Sequence, residues 1–342
     1  MVNIRALKAL NGDCIIVSYG KKRKYNILID GGQGRVCFRE LSKYVNDIKR
    51  KGEKIDLLIL THIDSDHIDG ILRLLSQKDF DFSIIEEMWF DFGNDLSDVL
   101  IINDGDNKGS LYDNTVEISW KQGIALEEKI HLEEIRRRIV TKLEKFSVGD
   151  ASLTILSPSK EVLKKLSEQD KEQKIVTTEI AYSNDYQKGI VELNQKEQER
   201  KVSLTNKSSI AFLFEVEKLK ILFLGDADAE EIVKSLTELG YSKNNKLKID
   251  FCKIAHHASR HNTSNELIQI LECSNYIIST QQTTYGRPSK ECLSRIICNS
   301  ENEVCFYCNY ELDWNKIFTK EEFLQYKMKF LVLKQHGVDV GE

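Results

Sequence analysis

The stretch that most constrains this chain is Thr61-His62-Ile63-Asp64-Ser65-Asp66-His67-Ile68-Asp69-Gly70, ten residues that hold two imidazoles and three carboxylates. It directly follows the run Ile55-Asp56-Leu57-Leu58-Ile59-Leu60, whose apolar density reads as a buried strand. A strand that delivers His and Asp together at its end predicts a metal site. Neutral imidazole and carboxylate are the usual ligands of Zn²⁺ and its first-row neighbours.

The same pattern recurs along the chain. Residues 3–10, 14–19 and 25–29 read as strands, the last ending in Asp30-Gly31-Gly32. Helical spacing covers 38–49, and a second helix covers 68–75 just after the His/Asp stretch. Residues 84–90 read as a strand and the charged stretch 124–146 as a helix. Strands are expected at 152–156, 208–216 and 219–224, the last running into Gly225-Asp226. A helix over 229–239 precedes a strand over 249–255 that ends in His256-His257. A strand at 276–279 and a helix from Pro288-Ser289 to Cys298 follow. Strands interleaved with helices in two runs predict an α/β architecture of four layers, αββα, with two packed mixed sheets and outer helices.

The chain has 342 residues, enough for a single large domain over 1–342. The polar stretch at about 165–203 reads as a surface insertion or flexible loop, and residues from about 300 as a C-terminal extension. A net charge of -5 carries no overall basic excess of the nucleic-acid-binding kind, though a local basic channel stays open. The N-terminal residues lack an apolar signal core, and no stretch is apolar enough for a membrane span. These features predict a cytoplasmic protein with no membrane contact. The eight cysteines are expected to be free thiols, Cys305 and Cys308 included, since a second C-x-x-C is missing.

Candidate ligands therefore stand at three strand ends: His62, Asp64, Asp66 and His67; then Asp226; then His256 and His257. Five of the seven histidines fall within 62–67 or 256–261, which chance dispersal would not favour. Asp30 is expected to orient a ligand rather than to be one.

Taken in order, these motifs resemble the metallo-β-lactamase fold, and most of all its ComEC-like branch. His62-Ile63-Asp64-Ser65-Asp66-His67 is similar to the H-x-[HD]-x-D-H motif, with Asp in the second position as in ComEC-like proteins. Asp30-Gly31-Gly32, Asn206-Lys207-Ser208-Ser209, Phe223-Leu224-Gly225-Asp226 and Lys253-Ile254-Ala255-His256-His257-Ala258-Ser259 resemble the other family motifs. The resemblance spans about residues 3–290. Three positions depart from it: Ala258 and Asp69 stand where Gly is usual, and Arg287 stands where a Gly-His-Pro segment has His.

The resemblance implies two divalent metal ions, Zn²⁺ or Mn²⁺ with Mg²⁺ possible. His62 and Asp64 would serve one, Asp66 and His67 the other, with Asp226 bridging and His256, His257 or both completing the set. Two ions would supply hydroxide at neutral pH, so Asp66 belongs to the catalytic set. Arg260, His261 and Arg287 are the candidates for meeting an anionic substrate, with Lys253 behind them. His261 is expected to donate a proton to a leaving alkoxide and Arg287 to assist catalysis. The expected function is a phosphodiesterase or nuclease, acting on nucleic acid or another phosphodiester, with a bacterial antiviral defence role by association. The alternatives are hydrolysis of a small phosphodiester, lactone or amide, and a weakly catalytic regulatory module. The 165–203 insertion is a candidate surface for a protein partner.

Overall fold

In a computed structural model of the chain, the structure describes residues 2–93, 96, 114–169, 184–195, 201–282, 286–334 and 337–340. The first sheet is built from β1 (Val2–Ala6), β2 (Ile15–Tyr19), β3 (Tyr25–Ile29), β4 (Leu57–Leu60), β5 (Met88–Phe90) and β6 (Arg137–Arg138), with β17 (Val338–Val340) on the free side of β1. The second holds β7 (Lys145–Val148), β8 (Ala151–Ser157), β9 (Ala211–Val216), β10 (Leu219–Phe223), β12 (Phe251–Lys253), β14 (Asn275–Ile278), β15 (Val304–Cys308) and β16 (Met328–Val332). The short strands β11 (Leu247–Lys248) and β13 (Leu271–Glu272) pair separately. Both large sheets are mixed: the first is antiparallel from β17 to β3 and parallel from β3 to β6. The second is antiparallel from β7 to β10 and parallel from β10 to β16.

Side-chain alternation explains the layers. Successive residues of a strand point to opposite faces. Ile27, Ile29, Leu57 and Ile59 share one buried cluster with Phe212, Phe214, Ile221 and Phe223 of the other sheet. Leu28, Leu58 and Leu60 face the other way and pack under the helices α1 (Arg35–Arg50) and α2 (Ser65–Leu75). Leu213, Leu222 and Cys252 likewise face the helices Ala229–Glu238, Asn265–Ile270 and Lys290–Cys298. Both faces of each central strand are therefore apolar, which is why 57–60 and 219–224 read as unbroken apolar runs. The four layers expected from the sequence are present.

The stretch after residue 300 adds β15 and β16 to the second sheet, and β17 pairs with β1. The eight cysteines are free. Among the described residues no helix is long and apolar enough to cross a membrane. The helix expected over 124–146 instead spans Asn114–Leu132. Residues beyond it form β6 and the β7–β8 hairpin, where Lys145, Phe146, Ser147 and Val148 alternate between more and less exposed. Their charge masked a two-residue period. Much of 165–203 lies outside the described residues. The part from 184 to 195 is docked: Asp185 accepts hydrogen bonds from Ser289 Oγ and from the backbone N–H groups of Lys290 and Glu291, at the start of the helix Lys290–Cys298.

Backbone contacts fix α2 against the end of β3. The N–H of Gly31 donates to His67 O (2.8 Å), and that of Gly70 donates to Gly32 O (2.9 Å). A Cβ on Gly70 would sit 1.9 Å from Gly31 O, and one on Gly31 would sit 2.3 Å from Ile71 N. Only two glycines allow this approach, so Gly70→Ala must push the helix off the strand. Overpacking of this kind costs about 1–3 kcal/mol. Urea unfolding is expected to show a lowered midpoint for Gly70→Ala.

A second expectation concerns Asp91, at the end of β5. It is buried; one oxygen accepts from Val140 N (2.9 Å), and the other has no hydrogen-bond partner among the described residues. Burial pushes its carboxyl up to about 8, with Arg137 pulling weakly the other way. The unfolded group titrates near roughly 4. Between these values the folded state holds a proton that the unfolded state has lost, so this group's contribution to stability falls as pH rises from about 4 to about 8. Asp91→Asn should remove that loss, flattening stability against pH in a denaturation series.

Candidate metal centre

The strand ends bring all seven predicted ligands together. His62 follows the end of β4 by two residues, and α2 starts at Ser65, so Asp66 and His67 occupy its first turn rather than a loop before it. Asp226 follows the end of β10 by three residues, and the chain beyond β12, parallel to it, runs on to His256 and His257. Asp226 Oδ2 lies 3.8 Å from His62 Nε2, 3.5 Å from His67 Nε2, 3.5 Å from His256 Nε2 and 3.8 Å from His257 Nε2. Asp64 Oδ2 is 3.5 Å from His62 Nε2, and Asp66 Oδ2 is 3.4 Å from His257 Nε2. Both histidines of the 256–257 pair face Asp226.

Each imidazole reaches this point with its other nitrogen engaged. His67 Nδ1 donates to Asp30 Oδ2 (2.8 Å) and His257 Nδ1 to the carbonyl of Ser279 (2.8 Å). Thr61 Oγ1 donates to Asp30 Oδ2 (2.8 Å), which leaves it able to accept from His62 Nδ1 (3.0 Å). His256 Nδ1 donates to Asn262 Oδ1 (2.8 Å); the Asn262 amide is oriented by its Nδ2, which donates to Asp226 O (2.8 Å). A carbonyl or carboxylate partner requires the proton on Nδ1, so all four Nε2 lone pairs turn towards Asp226. Those of His62, His67 and His257, with Asp226 Oδ1, are buried and have no hydrogen-bond partner among the described residues. Buried polar atoms are rarely left unpaired. Imidazole nitrogens and carboxylate oxygens converging in this way fit divalent cations.

The electrostatics agree. Against the cost of burial, His67 and His257 hold Asp66 well below the usual carboxylate range. Against the same cost, His256, His67 and His257 keep Asp226 ionised. Burial also disfavours protonated His67, but Asp226, Asp30 and Asp66 outweigh it and raise its affinity for positive charge. Asp13, Asp30 and His67 form another close group. There Asp30 is spent on Thr61 and His67, while Asp13 is paired with Lys253.

The backbone at the pair is unusual. His256, His257 and Ala258 have φ of 49°, 57° and 63°, three consecutive residues in the left-handed region. The turn is held from outside: His256 N donates to Gly225 O and Ser289 N to Ala258 O, both at 3.0 Å.

Beside His256 opens a cleft of about 60 Å³, lined among others by Lys201, Ser259, Arg260, His261 and Arg287. Two expectations from the sequence need correction. Lys253 does not reach it: its buried ammonium is held by Asp13 and Gly225 O beneath the centre, where it offsets carboxylate charge. His261 lines the cleft, but burial and the neighbouring Arg260, Arg295 and Arg287 push its pKa down to about 4. It is neutral at pH 7 and is no imidazolium acid there. Asp69 pairs with Arg73 (2.8 Å) one turn along α2. Thr61, Ser279 and Asn262 were not anticipated as positioning groups. Asn262 carries no motif signal at all, whereas Thr61 adjoins the ligand stretch.

The metallo-beta-lactamase superfamily model matches residues 7–119, which hold the first ligand stretch. This chain has the metallo-β-lactamase fold. Among solved structures it aligns with the metallo-β-lactamase fold protein YhfI from Bacillus subtilis (10% identity, TM-score 0.42, 99% of this chain and 98% of that one). It aligns with Zn²⁺-bound PqqB from Methylobacterium extorquens (9%, 0.38, 96% and 87%) and with CmlA, a diiron β-hydroxylase from Streptomyces venezuelae (12%, 0.39, 97% and 52%). It is also 27% identical over 246 residues, 63% of its length, to microtubule-associated protein 1A of Homo sapiens, and spans 8% of that protein.

Removing the amide that fixes His256 should weaken the centre without touching a ligand. Asn262→Ala is expected to lower metal affinity by roughly 10–100-fold, measured by competition against a chromophoric chelator.

Proposed function

We propose that the chain is a metal-dependent phosphodiesterase of the ComEC-like branch, acting on nucleic acid. The observation that carries this reading is the convergence of four imidazole Nε2 atoms on Asp226 beside a cleft lined by Lys201, Arg260 and Arg287. Asp64 in the second motif position favours the branch.

His62, Asp64, Asp66, His67, Asp226, His256 and His257 would hold two divalent ions, with carboxylates enough to admit Mn²⁺ or Mg²⁺ as well as Zn²⁺. When bound, such ions supply hydroxide at neutral pH and neutralise charge on a phosphoryl group. The residues supply the rest. Asp30 and Thr61 keep His67 and His62 in the required tautomer. Arg260 and Arg287 offer guanidinium groups suited to phosphate oxygens. Neutral His261 serves as a hydrogen-bonding group of the cleft rather than as an acid. The cationic lining favours phosphodiesters over lactones and amides, and a small phosphodiester is the second reading. Lys201, near the end of the polar insertion, lines the same cleft, so that segment is proposed to border the substrate path.

The test is hydrolysis of DNA, RNA and bis(4-nitrophenyl) phosphate by protein loaded with Mn²⁺ or Zn²⁺. Activity should disappear in Asp226→Ala and Asp66→Ala, and calorimetry should count two ions in the parent. Fewer than two ions together with no turnover would favour a regulatory module.

A further inference from the structure

The cleft beside His256 is more than a wall for the scissile group. His256 is the candidate ligand that lines it. Beyond that imidazole it is bounded by three cations, Lys201, Arg260 and Arg287, and by the hydroxyls of Ser259 and Ser289. Among the described residues the one carboxylate on its wall, Asp185, is spent on Ser289 Oγ and two backbone N–H groups at the start of a helix. In a chain whose net charge is -5, this places a local positive field beside His256. Burial first, and then Arg260, Arg295 and Arg287, push the pKa of His261 in this cleft down to about 4.

We infer that this cleft binds a second phosphate of the same substrate, joined through one nucleoside to the scissile phosphodiester. The inference rests on the phosphodiesterase reading for the role of the metal centre. It adds that recognition depends on a pair of phosphates rather than on one. The second phosphate can be a terminal monoester or the next internal diester of a strand, since both present oxygens that accept hydrogen bonds from guanidinium groups.

Binding is measured first, on metal-loaded protein, with thymidine 3′,5′-bisphosphate against the 3′- and 5′-monophosphates. The bisphosphate should bind roughly 10–100-fold tighter, the worth of one charge-assisted contact pair. The ratio should collapse towards one in Arg260→Ala and Arg287→Ala, and Arg287→Lys should retain part of it. Because each ratio is internal to one variant, a general loss of affinity cancels, and thermal melts identify any variant that fails to fold. Equal binding of bisphosphate and monophosphates by the parent overturns the inference. Cleavage is measured second, on TpT, pTpT, TpTp and TpTpT. Preference for pTpT or TpTp assigns a terminal phosphate, and preference for TpTpT alone assigns an internal one. No cleavage of any of these or of longer nucleic acid overturns the phosphodiesterase reading, while the binding ratios still decide the second-phosphate site.

Discussion

The centre depends on what one buried carboxylate does. Asp30 accepts from Thr61 N at 2.7 Å, from the Thr61 hydroxyl at 2.8 Å and from His67 Nδ1 at 2.8 Å. The first contact fixes where β4 ends. The second spends the hydroxyl proton, so that Thr61 can only accept from His62. The third sets His67 directly. A single side chain thus decides the tautomers of two imidazoles and ties two neighbouring strand ends together. Replacing it by an apolar residue would leave Thr61 and His67 with unpaired buried donors, each costing about 1–3 kcal/mol.

The sheets supply this geometry because their parallel strands present carboxyl ends at one rim. β3, β4 and β5 run together in the first sheet, as do β10, β12 and β14 in the second. Ile210 N donates to Thr61 O (2.9 Å), which links the two sheets beside the centre. Asp13 and Lys253 make the same link beneath it as a buried ion pair. Breaking such a pair strands a charge in the interior, so the pair enforces the relative placement of the sheets even where its net contribution to stability is small.

Much of this was legible in the sequence. The fold followed from apolar runs of strand length, because strands buried on both faces leave an unbroken signature. The candidate ligands, which the fold brings together, followed from residue type and place, since His and Asp concentrate at strand ends. What escaped has physical reasons. Asn262 acts through the orientation of one amide, and amides are common at surfaces, so nothing in its neighbourhood distinguishes it. Lys253 sits next to the motif and carries the right charge for a substrate, but only the depth of β12 reveals that its ammonium is enclosed. His261 looks like an acid by type, and its three arginine neighbours come partly from distant segments. The hairpin at 145–157 was hidden by charged residues on the exposed side of a two-stranded alternation.

The left-handed turn at His256, His257 and Ala258 runs against local preference: no glycine eases it, and each such residue costs of order 1–2 kcal/mol. Its shape is imposed by Gly225 and Ser289, which reach it from two other parts of the second half of the chain. A fragment carrying these residues has no reason to keep the turn. The pair of histidines is therefore a property of the folded second half, whereas His62 and His67 are set by Asp30 and Thr61 in the first.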